Sequence, residues 1–133
     1  MRIQRMKDKL GNRSNASAEI EYDRAFAHQI GEEGQGVRTI VEMVHHTRLD
    51  TAIAPAGLMR GALTEAHHWV THRTTFQKRL IDQPLMRAVL ADMALELEAM
   101  VALVFRLARA FEGRASSPAE AGYARLMTPV IKY

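Results

Sequence analysis

The sequence predicts a mainly α-helical protein. It reads as long antiparallel helices of four-helix-bundle type, incomplete, with a short β remnant at the N-terminus. Three observations predict this. Residues 84–112 carry apolar side chains in two rows at heptad spacing. Residues 34–73 read as a second long helical stretch. Strand-like alternation is confined to residues 1–33.

The chain has 133 residues, fitting one domain of ordinary size, and its 47% hydrophobic and 25% charged residues exclude whole-chain disorder. There is no cysteine, which excludes disulfides, thiolate catalysis and zinc–thiolate sites. No stretch has the length of a signal-peptide core or of a membrane span, so a cytoplasmic protein without a membrane partner is expected. Net charge is +3. Basic and acidic residues number 6 and 6 in residues 1–33, 6 and 4 in 34–82, and 6 and 5 in 83–133. That spread argues against a concentrated nucleic-acid-binding face, so nucleic acid ranks low as a partner.

In residues 1–33, "RIQRMKDK" is weakly extended and "LGNRSNAS" is a turn cluster. "SAEIEYD" alternates Ala18, Ile20 and Tyr22 with Glu19, Glu21 and Asp23, the period of a half-buried strand. Two short strands make no stable sheet alone, so this piece reads as the edge of something larger. Val37, Ile40, Val41 and Val44 form one stripe at the start of the first helical stretch. Pro55 removes a backbone donor and crowds the preceding turn, predicting two segments near 35–47 and 48–73. In residues 84–112 the rows are Met86, Met93, Met100 and Leu107, and Leu90, Leu97, Val104 and Phe111. Pro84 suits the first helical position and Gly113 the C-cap. A last helix near 117–132 opens on a Ser117–Glu120 capping box with Pro118 in its first turn. Pro129 is placed to disturb it. Such a set leaves apolar stripes uncovered, so a second copy or further chain is expected to complete the bundle.

Candidate chemistry is sparse. His68 and His72 are four residues apart on one helical face, with His67 and Glu65 near. Adjacent turns bring two imidazoles toward one ion, but there is no HExxH pattern and no third ligand in sequence. Surface histidines are the favoured reading, and no metal site is expected. His45 and His46 diverge on a helix. "GEEGQG" lacks the GK[ST] of a phosphate loop. Glu96 and Glu98 point apart on a helix and make no acid–base pair. Arg73, Phe76 and Gln83 cluster in the turn before the long helix. A guanidinium binds phosphate through paired hydrogen bonds, a ring stacks on a base and an amide reads polar edges. Together they fit a nucleotide-like cofactor, but on spacing alone the favoured reading is an Arg solvated at a helix end with a Phe pinning the turn onto the core.

"HRTTFQKRLIDQPLMRAVLADM" resembles the helix–turn–helix signature of the acyl-CoA dehydrogenases. "KDKLGNRSNASAEIEYD" resembles the last strands of that family's middle β-domain, placing residues 1–33 there. "GEEGQGVRTIVEMVHHTRLD" resembles the entry to its C-terminal helical domain, with residues 34–133 a partial copy. "QPLMR" and "VFRLARA" are most similar to the bacterial alkylation-response branch. The resemblance implies a fragment of an FAD-dependent oxidoreductase of fatty acid metabolism. That chemistry is α,β-dehydrogenation of an acyl-CoA thioester, a carboxylate taking the α-proton and the flavin the β-hydride. It implies that Arg73, Phe76 and Gln83 contact the FAD of a neighbouring subunit, and that Thr47 and Arg48 lie near the acyl thioester. Separately, the uncovered apolar stripe on residues 86–111 leads us to expect a homodimer or larger homo-oligomer formed through helices 48–73 and 84–112.

The family's usual Gly after the turn Phe is Gln77 here, and its usual Pro is Arg79. One branch carries its catalytic glutamate where Thr47 stands; the commoner position lies beyond Tyr133. The catalytic base is thus expected outside this chain, and the isolated chain is expected to be inactive. A non-enzymatic helical dimerisation module is the alternative, and an alkylation-response protein acting at nucleic acid ranks lower.

Overall fold

The computed structural model describes residues 1–132 and is mainly helical. Its elements are β1 (Arg2–Met6), β2 (Ala18–Glu21), α1 (Gly36–His72), β3 (Thr74–Thr75), β4 (Lys78–Arg79), a 3-10 turn (Leu80–Asp82), α2 (Pro84–Gly113) and α3 (Pro118–Val130). The chain divides into two compact units, Met1–Thr39 and Ile40–Tyr133.

In the first unit β1 and β2 pair antiparallel, with Ile3 opposite Ile20 and an irregularity between Ile3 and Arg5. Arg5 and Glu19 form an ion pair across the two strands, the cross-strand contact expected of opposite charges. Ile3, Met6 and Ile20 remain exposed, because two strands have no second layer to bury them.

In the second unit the expected break before residue 48 does not occur. α1 is one helix of 37 residues with Pro55 inside it. A proline costs the helix one hydrogen bond, and tertiary burial offsets that here. Ala52 and Ala56, either side of Pro55, both sit in the buried core. Pro129 likewise lies inside α3, one residue from its end, where little helix remains to disrupt.

The core gathers Ala52 and Ala56 from α1, Val104, Leu107 and Ala110 from α2, and Ala124 and Ile131 beyond them. Leu107 is 0% exposed and is the largest fully buried side chain. Ala110 and Ala124 lie where α2 and α3 pack closely against each other. Of the two heptad rows, Leu97, Val104 and Leu107 are buried; Met86, Leu90, Met93, Met100 and Phe111 are half-buried. Val37, Ile40 and Val41 of the anticipated stripe are exposed.

α2 begins at Pro84 and its last residue is Gly113. The Gly113 carbonyl accepts hydrogen bonds from the Ser116 and Ser117 amides at 3.1 and 3.0 Å. A Cβ on Gly113 would lie 3.1 Å from Glu120 Cγ, so glycine lets α3 turn back closely. Ser117 caps α3, its hydroxyl accepting from the Glu120 amide at 3.4 Å. The capping box is only half formed. The Glu120 carboxylate accepts two bonds from the Arg106 guanidinium of α2, at 2.8 and 2.9 Å. A bidentate charged pair outcompetes one backbone donor. The same guanidinium lies 4.1 Å from the Tyr123 ring centre, so α2 and α3 are joined by charge and by stacking.

Candidate functional site

Two separate regions carry the anticipated residues, at opposite ends of α1.

The first is the turn between α1 and α2. β3 and β4 form a minimal hairpin, with Thr74 opposite Arg79 and Thr75 opposite Lys78. Only Phe76 and Gln77 lie between the paired residues, and both have positive φ, 50° and 64°. That is the sign pattern of a type I′ turn, whose loop normally carries Asn and Gly. The left-handed conformation at 77 is one that glycine adopts without strain. Gln77 therefore keeps the turn a glycine would make, at a local cost. The closed hairpin turns Phe76 outward until it is 94% exposed. Arg73 stands at the hairpin's base, its carbonyl accepting from the Leu80 amide at 2.8 Å, and it is exposed as well. Gln83 behaves differently. Its Nε2 donates to Thr75 Oγ1 at 2.9 Å and to the Thr75 carbonyl at 3.3 Å. The amide clamps the hairpin to the start of α2, leaving only its carbonyl oxygen for an outside partner. Arg79 pairs with Asp82 at 3.1 Å.

The second region is a half-open pocket of about 520 Å³ lined by residues of α1 and of the ends of α2 and α3. Its wall carries Arg48, Arg114, Arg125, Lys132 and His45 against one carboxylate, Glu42; Phe111, Ala121, Ala124 and Pro129 supply apolar surface. Arg114 donates to Glu42 at 3.0 Å and lies 5.2 Å from the Phe111 ring centre, so the only carboxylate is already engaged. Cationic and apolar lining together suit an anion with an apolar portion. Nothing in sequence spacing announced Arg114, Arg125 or Lys132, because three helices supply the wall. Thr47 is not among the lining residues. Its hydroxyl donates back to the Met43 carbonyl at 3.1 Å.

Arg48 and His72 are separated by 24 residues of continuous helix, which is roughly 36 Å. The structure thus brings Arg73, Phe76 and Gln83 together, and keeps them far from Thr47 and Arg48.

No group of three or more His, Asp or Glu side chains placed to hold a metal ion occurs among the described residues. No helix among them is long and apolar enough to cross a membrane.

The family model for the acyl-CoA dehydrogenase C-terminal domain matches residues 34–131. The chain belongs to the acyl-CoA dehydrogenase family. It is 49% identical over 133 residues to the putative acyl-CoA dehydrogenase AidB of Escherichia coli K12, covering all of this chain and 24% of that protein. It is 37% identical over 131 residues to acyl-CoA dehydrogenase family member 11 of Caenorhabditis elegans, covering 96% of this chain and 21% of that one. The crystal structure of C. elegans ACDH-11 in complex with C11-CoA superposes with a TM-score of 0.82 at 36% identity, over 98% of this chain and 22% of that one. The chain thus spans about a quarter of the length of these relatives.

Proposed function

We propose that this acyl-CoA dehydrogenase chain provides one wall of an FAD-dependent site for α,β-dehydrogenation of an acyl-CoA thioester. The observation that carries the reading is the hairpin. An aromatic ring is held 94% exposed on a strained two-residue loop beside an exposed arginine. Backbone strain of this kind clusters at binding sites.

The fit to FAD follows from the side chains. The Arg73 guanidinium presents paired donors to a pyrophosphate. The Phe76 ring offers a face to the adenosine portion, and Gln83 steadies the loop while keeping its carbonyl oxygen free. FAD, when bound, supplies the hydride acceptor. The separation of roughly 36 Å from Arg48 supports a turn that serves a neighbouring copy, while the cavity serves the chain's own substrate. In that cavity Arg48, Arg114, Arg125 and Lys132 match the phosphates of an acyl-CoA, and the apolar surface takes part of its less polar length. Thr47, next to Arg48, carries no carboxylate and is not the base.

Calorimetric titration with an acyl-CoA tests this directly. Saturable binding is expected, weakened at least about tenfold in Arg48→Ala and Arg125→Ala. Binding unchanged by both substitutions would remove the cavity from the reading. With FAD and an electron-acceptor dye, the isolated chain should show no turnover, since no base is proposed within it.

A second reading, a helical dimerisation module, has its own support. Leu85, Val89, Leu95 and Phe105 are exposed along α2. An apolar groove of about 330 Å³ between α1 and α2 is lined by Met59, Leu63, Val89 and Met93. A second copy docking along residues 48–73 and 84–112 would complete a four-helix bundle. The two readings are compatible. A monomeric mass by light scattering at micromolar concentration would count against this one.

A further inference from the structure

His68 and His72 lie on the last two turns of α1, immediately ahead of the hairpin and outside the cavity lining. Their spacing by itself favours surface histidines. Their geometry goes further. The ring centres are 4.3 Å apart with an interplanar angle of 39°. Both residues are exposed. His72 Nδ1 lies 2.7 Å from the His68 carbonyl oxygen. A carbonyl only accepts, so Nδ1 carries the hydrogen and donates it. The neutral ring then holds its lone pair on Nε2, the tautomer in which histidine ligates a metal. A hydrogen bond from the non-ligating nitrogen to a backbone carbonyl is the usual outer support of such a ligand. The Thr71 hydroxyl donates to the same carbonyl at 2.7 Å, fixing that acceptor in place.

We propose that His68 and His72 form a two-histidine chelate for a divalent transition-metal ion of the copper, nickel or zinc group. Imidazole nitrogen suits these ions. Two nitrogens at about 2.0–2.1 Å from one ion are about 2.9 Å apart in a square-planar site and about 3.4 Å apart in a tetrahedral one. Rings at 4.3 Å reach these separations by small rotations of exposed side chains. Water completes the coordination, consistent with only two protein ligands. A bound ion ties the last two turns of α1 together, immediately before Arg73.

Trp69 makes the test simple. It is the chain's single tryptophan, follows His68 and is 62% exposed, so a bound Cu²⁺ ion would quench it. The full chain is titrated with Cu²⁺ alone, following Trp69 fluorescence and the copper electron paramagnetic resonance spectrum. Expected are quenching that saturates at one equivalent, its reversal by a chelator, and splitting from two nitrogen ligands. His72→Ala and His68→Gln should each weaken the binding at least about tenfold. His67→Ala, one residue from His68, should leave it unchanged. Both histidines are exposed, so these variants keep the fold, which circular dichroism verifies. Equal quenching midpoints in His72→Ala and the parent chain, or a spectrum with a single nitrogen ligand, would overturn the chelate.

Discussion

Replacing Gln77 by Gly should stabilise this chain, although glycine ordinarily loosens one. Gln77 has φ +64° and is exposed, so the substitution removes strain without removing buried contacts. A side chain held in the left-handed region costs about 1–2 kcal/mol. Glycine's greater freedom in the unfolded chain returns about 0.5–1 kcal/mol of that. The difference is a net gain of roughly 0.7 kcal/mol. With a urea dependence of about 1.5 kcal/mol per molar, the unfolding midpoint should rise by roughly 0.5 M. Gln77→Ala is the control, since it removes the same side chain but keeps the left-handed requirement. Equilibrium unfolding in urea, followed by helical circular dichroism, reads all three proteins. A midpoint for Gln77→Gly no higher than that of Gln77→Ala would refute the argument, because the turn would then not hold residue 77 left-handed in solution.

Leu107→Ala should cost about 2–5 kcal/mol, since it opens a void at the centre of the core; a thermal unfolding midpoint nearly unchanged would mean the helices do not meet there. Ser117→Ala should cost about 1 kcal/mol through loss of the α3 cap, measurable by the same urea titration. The Glu120 carboxyl is held below its ordinary range, chiefly by the hydrogen bonds from Arg106, with burial opposing and the Arg106 and Arg109 charges assisting. A depressed folded value means the stabilisation is complete above the ordinary carboxylate range and is lost as pH falls through the folded value. Acid titration of stability should therefore be less steep in Glu120→Gln than in the parent chain. Identical acid limbs would show that the pair contributes nothing there.

Much of the helical organisation was legible in the residues themselves. Pro84 opens α2 and Ser117 with Pro118 opens α3, because caps and prolines act over one turn of local backbone; Gly113, expected as the C-cap of α2, is its last helical residue and Arg114 takes the cap position. The turn motif and its neighbours were sufficient to recognise the family. The exposed hairpin was only half legible. Arg73 and Phe76 stood out by type, but the outward exposure of Phe76 depends on two positive φ angles in residues that do not advertise them.

Only the tertiary structure decided the rest. Pro55 reads as a break, yet α1 continues, because burial of Ala52 and Ala56 in the core offsets one lost hydrogen bond. Glu120 reads as a capping partner, yet its carboxylate turns to an arginine 14 residues earlier on another helix. Gln83 reads as an outward contact; the fold commits its Nε2 to Thr75 and leaves the carbonyl oxygen for an outside partner. The cationic cavity has no spacing to read, since Arg48, Arg114 and Arg125 come from different elements. Periodicity, caps and turn residues are local energies and are written in order along the chain. Which charge meets which, and what a proline costs, are settled only when distant segments exclude water from one another.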